Sequence, residues 1–353
     1  MSFPKIKPLS PPDENVDGRV LLISEGFERR SLWFSESLST ECEFADVVIF
    51  VNKPGRASKL KELAEILEQH TSNPIKIVEF DRASPELAER DFKNFLESLK
   101  SDCRDFVVDI SVFSRLLIMM VFKQLARISC PVKIVYSEPK NYSPTEIEFK
   151  EWLPKREAEM GAFATAGLKG VLRTVDLSST VMTGAPVVLI AFASFNAYLI
   201  SGLLQSVSPS RLIVIGANPP RLQWRRLATS QIHTQIITEY RRDNECDDEG
   251  ALRRESSTLD YRETLRLLSE LYQEFCFTHR IVLAPTGSKM QALGCAFFRA
   301  ICNDVHVEYP MPERFFHKGF SSDESHEIHE ICFEDFSSDI QSMESDLGLD
   351  GSW

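Results

Sequence analysis

The sequence has no apolar run approaching the length of a membrane span, no Cys-x-x-Cys pair, no Walker Gly-Lys-Ser/Thr loop, no Gly-x-Ser-x-Gly elbow, and no Gly-x-Gly-x-x-Gly behind a candidate first strand. Each absence removes a class. A transmembrane helix needs roughly 20 apolar residues, and the missing motifs are the phosphate-cradling and nucleophile-bearing turns of the common cofactor enzymes, NTPases and hydrolases. Positive charge is also scarce: 40 Lys and Arg against 52 Asp and Glu give a net charge of −12. General nucleic-acid binders carry the opposite balance, because they must neutralise phosphates. Residues 1–17 are polar and Pro-rich, without the apolar core of a signal peptide. A cytoplasmic protein is expected, with no membrane partner, no general nucleic-acid binding and no cofactor. The eight cysteines (Cys42, Cys103, Cys130, Cys246, Cys276, Cys295, Cys302 and Cys332) are read as reduced core residues. His326, His329 and Cys332 lie in an acidic stretch that reads as strand or tail, so no metal is expected.

What is present is alternation. The 353 residues, 43% hydrophobic and 26% charged, suffice for two ordinary cores. Apolar runs predict strands at Arg19–Ile23, Asp46–Val51, Ile75–Phe80, Phe106–Ile110 and Val132–Tyr136. Helical spacing between them predicts helices near Ser31–Leu38, Ser58–Gln69, Pro85–Leu99 and Ser114–Ile128. The pattern breaks over 141–185, read as a linker, and then resumes. The second series predicts strands at Val187–Phe192, Leu212–Ile215, Gln235–Tyr240, Ile281–Ala284 and Val305–Tyr309, with helices at Asn196–Leu204, Leu222–Thr229, Leu259–Phe275 and Met290–Ile301. Strand–helix alternation of this kind implies parallel sheets with helices on both faces.

Matching residues recur in order behind the strands. Gly26-Phe27-Glu28 answers to Ser194-Phe195-Asn196, Asn52-Lys53-Pro54 to Asn218-Pro219-Pro220, and Glu79-Phe80-Asp81-Arg82 to Glu239-Tyr240-Arg241-Arg242. Asp109 to Arg115 stands where Leu283 to Lys289 stands. Nearly every match lies just past a strand's carboxyl end, the edge where open parallel sheets bind ligands at the point of strand-order reversal. The expected fold is α/β: two tandem Rossmann-like parallel-sheet halves, 18–140 and 186–333, related by internal duplication. A disordered leader (1–17) precedes them, and an acidic tail (334–353) that adds nothing to the core follows. His326–Phe333 is expected as an edge strand and Arg241–Glu255 as a mobile loop.

The stretch Ile281–Ala300 reads as a buried strand, a turn of small residues and an apolar helix. Thr286, Gly287, Ser288 and Lys289 occupy that turn, where backbone N–H groups at a helix N-terminus and a lysine suit an anion. The alternative is that Ser or Thr caps the helix and Gly lets strand and helix approach. With these four residues, Ser194, Asn196 and Asn218 form the candidate ligand site of the second half. Asn52, Ser111, Ser114 and Arg115 form that of the first. Glu28, Asp109 and Glu138 are candidate acid–base or nucleophilic carboxylates, each equally readable as a cap or ion-pair partner.

Thr286-Gly287-Ser288-Lys289-Met290 behind an apolar strand resembles the Thr-Gly-Gly-Thr-Lys-Met type of turn in CARF domains, the Rossmann-like sensors of CRISPR-associated defence proteins. The likeness covers mainly residues 186–312, where Ser194 and Asn196 also match small polar positions of that family. Ser288 departs from its glycine or threonine, and Pro285 precedes the motif. The resemblance implies a nucleotide-type ligand such as a cyclic oligonucleotide, bound by paired domains, and a protein effector. The pairing is compatible either with the two halves of one chain, as an asymmetric pair, or with a homodimer. The Arg-x4-His pair of the ribonuclease domains attached to many such sensors is absent. Three readings stand at this point: a sensor of a small anionic nucleotide-like ligand, a hydrolase of a nucleotide or nucleoside, and a scaffold whose acidic tail binds a basic partner.

Overall fold

The computed structural model describes residues 3–10, 18–53, 58–99, 104–155, 163, 165–243, 254–316 and 321–349. Pro54, Cys103, Cys246, most of the loop expected to be mobile (244–253), part of the leader (1–2 and 11–17) and residues 350–353 lie outside the described residues. The chain divides into unit 1 (Met1–Tyr142 and Gly319–Met343) and unit 2 (Ser143–Lys318 and Glu344–Trp353).

Unit 1 runs β1 (Lys7–Pro8), β2 (Val20–Ser24), α1 (Arg30–Glu36), β3 (Asp46–Lys53), α2 (Leu60–Leu67), β4 (Lys76–Asp81), α3 (Pro85–Ser98), β5 (Phe106–Asp109), α4 (Arg115–Leu125) and β6 (Val132–Pro139). Unit 2 runs α5 (Glu146–Trp152), β7 (Thr165–Ala166), β8 (Gly170–Leu172), β9 (Val187–Phe192), α6 (Tyr198–Val207), β10 (Arg211–Asn218), α7 (Trp224–Asp243) and β11 (Glu255–Ser257). It continues with α8 (Tyr261–Phe275), β12 (Arg280–Ala284), α9 (Lys289–Ile301), β13 (His306–Val307), β14 (Tyr309–Met311) and β15 (Arg314–Phe315). The chain then supplies β16 (Ser325–Phe333) to unit 1, followed by α10 (Phe336–Asp346).

The unit 1 sheet is ordered β1-β16-β6-β5-β2-β3-β4, and β6 through β4 are parallel. The unit 2 sheet is ordered β11-β10-β9-β12-β13, all parallel. Counting each unit's parallel strands in chain order, both read 3-2-1-4-5. Strand order therefore reverses between β2 and β5 in unit 1 and between β9 and β12 in unit 2. The central strands Val20–Ser24 are buried throughout and Ile281–Ala284 likewise, as continuous apolar runs in parallel sheets must be. Among the described residues no helix is long and apolar enough to cross a membrane.

Five expectations need correction. Gln235–Tyr240 is not a strand: it and Leu222–Thr229 belong largely to the single helix α7, and the third strand is the short β11. The β-branched residues there suggest a strand locally. The longer stretch, however, buries Ala228, Thr229, His233 and Ile237 at helical spacing. Residues 141–185 are not a linker but part of unit 2, with β8 paired to β14 and β7 to β15. Lys7–Pro8 of the leader pairs with β16, and Phe3 is buried. The strand expected at His326–Phe333 joins unit 1, not the second half. It is no edge strand, since it lies antiparallel between β1 and β6.

The fifth correction concerns the acidic tail. Within 334–349 lies α10, with Phe336, Ile340 and Met343 buried. Phe336 packs on Phe122 of α4 and on Phe333 of β16. The helix explains a feature of α4, whose residues from Leu116 to Phe122 are all buried. A helix apolar all round needs cover on all sides, and α10 supplies part of it. Phe336→Ala is accordingly expected to cost about 3–5 kcal/mol in urea unfolding of the full chain followed by far-UV circular dichroism. A change within about 0.5 kcal/mol, the range of surface substitutions, would mean that the segment is a tail after all.

Candidate functional site

In unit 2 the strands β9 and β12 part at their carboxyl ends, and Thr286 ties them together. Its hydroxyl donates to the Phe192 carbonyl at 2.6 Å and accepts the Phe192 N–H at 2.8 Å. Gly287 follows because nothing larger fits: an added Cβ would stand 2.9 Å from Cβ of Phe192. Ser288 then caps α9 in a capping box, its Oγ accepting from Gln291 N at 3.0 Å while Gln291 Oε1 accepts from Ser288 N at 2.8 Å. The Gln291 amide, buried, also donates to Ser256 of β11 at 3.0 Å. Lys289, half-buried, is the first residue of α9.

The loop behind β9 meets this turn across the strand-order reversal. Asn196 is 3% exposed and donates to Thr165 Oγ1 at 3.1 Å, while its Oδ1 is buried without a hydrogen-bond partner among the described residues. Ser194 is held by a residue absent from the candidate list, His233 of α7. The His233 Nε2 lies 3.1 Å from Ser194 N and 2.9 Å from Ser194 O, and its Nδ1 is buried without a partner among the described residues. Asn218 ends β10, its carbonyl accepting from Thr258 N at 3.1 Å. Ser194, Asn196, Thr286, Gly287, Ser288 and Lys289 therefore gather at one point of strand reversal, with Asn218 one strand away.

In unit 1 the corresponding edge is closed by carboxylates. Glu25 Oε1 accepts from Asn52 N at 2.9 Å, and Asn52 Nδ2 donates to Ser24 Oγ at 3.3 Å. The Ser111 hydroxyl donates to the Asp109 carboxylate and accepts from Ser137 N at 2.7 Å, linking β5 to β6. Ser114 caps α4, accepting from Leu117 N at 3.1 Å, and Arg115 is the first residue of that helix. Glu28 Oε2 accepts from Arg30 Nε and Nη2 at 3.0 and 2.8 Å, and Oε1 from the Ser321 hydroxyl. Glu138 faces His329 Nε2 at 3.3 Å, with the His329 ring stacked on Tyr136. Tyr136 and Tyr142 share a hydroxyl hydrogen bond of 2.7 Å.

Arg30, Tyr136, Tyr142, His233 and Gln291 escaped the sequence reading. Gln291 was detectable as the third residue after Ser288, the capping-box spacing. His233 was detectable only through the period of α7. Elsewhere, Cys276, Cys295 and Cys302 are buried, and burial pushes their thiols up, away from the reactive thiolate.

No protein-family model matches the chain, and no curated protein matches it. Among solved structures, the cytoplasmic domain of a prokaryotic cation chloride cotransporter aligns over 83% of this chain and 95% of its own, at 6% identity and a TM-score of 0.24. A likeness that slight bears on neither fold nor function.

Burial drives the pKa of His233 down from 6.5 to about 4, against the opposing hydrogen bond to Ser194. Between those values the unfolded chain binds a proton that the folded chain refuses. Stability is therefore lost as pH falls from 6.5 toward 4 and the loss levels off below. The loss is expected to be about 3 kcal/mol. It is measured as the part of the difference in urea stability between pH 7 and pH 4 that is absent in His233→Gln. Equal pH dependence in the two proteins would place the histidine in a wetter site.

Proposed function

We propose that the chain is a sensor of an anionic, nucleotide-type ligand, held at the carboxyl edges of its parallel sheets and signalling through a protein effector in a defence or regulatory system. The observation that carries this reading is the gathering of Ser194, Asn196 and the turn Thr286 to Lys289 at the unit 2 strand reversal. That is where doubly wound sheets bind ligands. The half-met polar groups of Asn196 and His233 beside it support a ligand over a bare cap. The partial resemblance to CARF turns points the same way. We further propose that the two units arose by internal duplication. Support comes from their common strand order and from the matches behind the first, second and fourth strands. The third-strand match lends none, since Glu239 to Arg242 belong to α7.

Hydrolysis of the ligand is the second reading, favoured by the buried Glu138–His329 pair beside Tyr136. The scaffold reading loses its footing, because the segment it needs as a free acidic tail buries Phe336, Ile340 and Met343.

A binding screen of the full chain against nucleotides and cyclic oligonucleotides, with product analysis, separates the readings: binding without turnover supports the sensor, and turnover supports the hydrolase. In the same assay Lys289→Ala is expected to weaken binding by about tenfold to a hundredfold, the loss of one charge-assisted hydrogen bond. Its far-UV circular dichroism without ligand should match wild type, which shows the fold intact. Wild-type affinity in the variant would remove the turn from the site.

A further inference from the structure

The polar cluster of unit 1 contains a charge that its neighbours use incompletely. Arg30 is 3% exposed, yet among the described residues only its Nε and Nη2 donate, both to Glu28 Oε2, while the buried Nη1 has no acceptor there. The other Glu28 oxygen accepts from Ser321, and Arg30 Nη1 reaches neither oxygen. A buried donor on a charged group is costly to leave unmet, and folds keep few of them unless something else provides the acceptor. The charge itself is secure: burial alone would lower the guanidinium pKa, but Glu28, Tyr136 and Tyr142 together more than offset this.

The surroundings define what such an acceptor looks like. Tyr136 and Tyr142 lie within the electrostatic reach of Arg30, and burial pushes both phenols up, so they remain protonated donors. Tyr142 and Ser321 pair across an antiparallel bridge and are half-buried, which makes them the rim where the cluster meets solvent. Two carboxylates limit the charge a guest can carry. Glu28 already offsets Arg30, and Glu138, facing His329, acts on both tyrosines. A dianion is therefore repelled about twice as strongly as a singly charged oxygen acceptor.

We propose that Arg30, with Tyr136 and Tyr142 beside it, forms a binding site in unit 1 for a singly charged oxyanion, a phosphodiester or carboxylate, one oxygen of which accepts from Arg30 Nη1. The site shares the anionic ligand class of the function proposed above but none of the residues of the unit 2 turn. The two therefore stand or fall separately.

The test uses dimethyl phosphate as the probe, titrated calorimetrically into the full chain at fixed ionic strength, with sodium chloride as the control. Wild type binds. Arg30→Gln loses about tenfold or more in affinity, and Tyr142→Phe about threefold to tenfold, as for a charged and a neutral hydrogen bond respectively. Glu28→Gln removes the competing carboxylate and binds about tenfold more tightly. An ion pair with a structural role only would gain no affinity from losing its acid, so this variant separates site from strut. If Arg30→Gln fails to fold, Tyr142→Phe and Glu28→Gln decide. Equal affinity in all the proteins, or no binding to either wild type or Glu28→Gln, overturns the proposal. Loss of dimethyl phosphate binding in Lys289→Ala but not in Arg30→Gln overturns it too, while leaving the unit 2 reading intact.

Discussion

Two hydrogen bonds from one hydroxyl hold the unit 2 edge together: Thr286 Oγ1 closes both backbone groups of Phe192, at 2.8 and 2.6 Å. At a strand reversal the adjacent strands send their chains to opposite sides of the sheet, so the last residues of each lose the ladder partner they would otherwise have. A buried N–H and C=O at such a point must be satisfied by something, and a β-branched alcohol does both while remaining packed. The close approach it enforces is what requires glycine at 287. Glycine in turn brings Ser288 to the start of α9, and the cap engages Gln291, whose amide reaches Ser256. One threonine thereby ties β9 to β12 and the start of α9, beside Ser194, Asn196 and Lys289 at the same strand reversal.

Unit 1 meets the same topological demand with charge instead of hydroxyls. The carboxylates of Glu25 and Asp109 receive backbone N–H groups at 2.9 Å each, a stronger acceptor for the same orphaned donors. Charge in a buried edge calls for counter-charge, and Arg30 supplies it for Glu28. The two edges therefore share strand order while differing in electrostatic character: the ties of unit 2 are neutral hydroxyl and amide groups with the Lys289 cation beside them, and those of unit 1 are carboxylates. Ligands of the same class would be read differently by each.

Much of the parallel framework was legible in the sequence, because buried strands are continuous apolar runs and their ends coincide with polar turns. Val187–Phe192 is recovered to the residue, and Ile281–Ala284 differs from β12 only at Arg280. The failures share a cause. Gln235–Tyr240 is too short and the stretch after Glu334 too acidic to display its period locally, although Ile232, His233, Ile236 and Ile237, like Phe336, Ile340 and Met343, recur at helical intervals. Strand partners distant in sequence were not legible at all. Nothing local says that His329 faces Tyr136 or that Lys7 pairs with Glu330. Residue types put Thr286, Gly287 and Ser288 in the turn between β12 and α9, where the structure has them. Their roles as tie, close approach and cap emerged only with the distances. Arg30 and His233 were invisible because burial, not identity, makes them notable.

Hydrogen–deuterium exchange of the full chain, with and without a saturating nucleotide identified by screening, tests most directly whether the unit 2 strand reversal is a ligand site. Binding there predicts added protection concentrated in the amides behind β9, from Ala193 to Leu199, and behind β12, from Thr286 to Ala292, with the amino ends of the same strands unchanged. Protection spread evenly over the chain, or confined to segments away from these two turns, would contradict it.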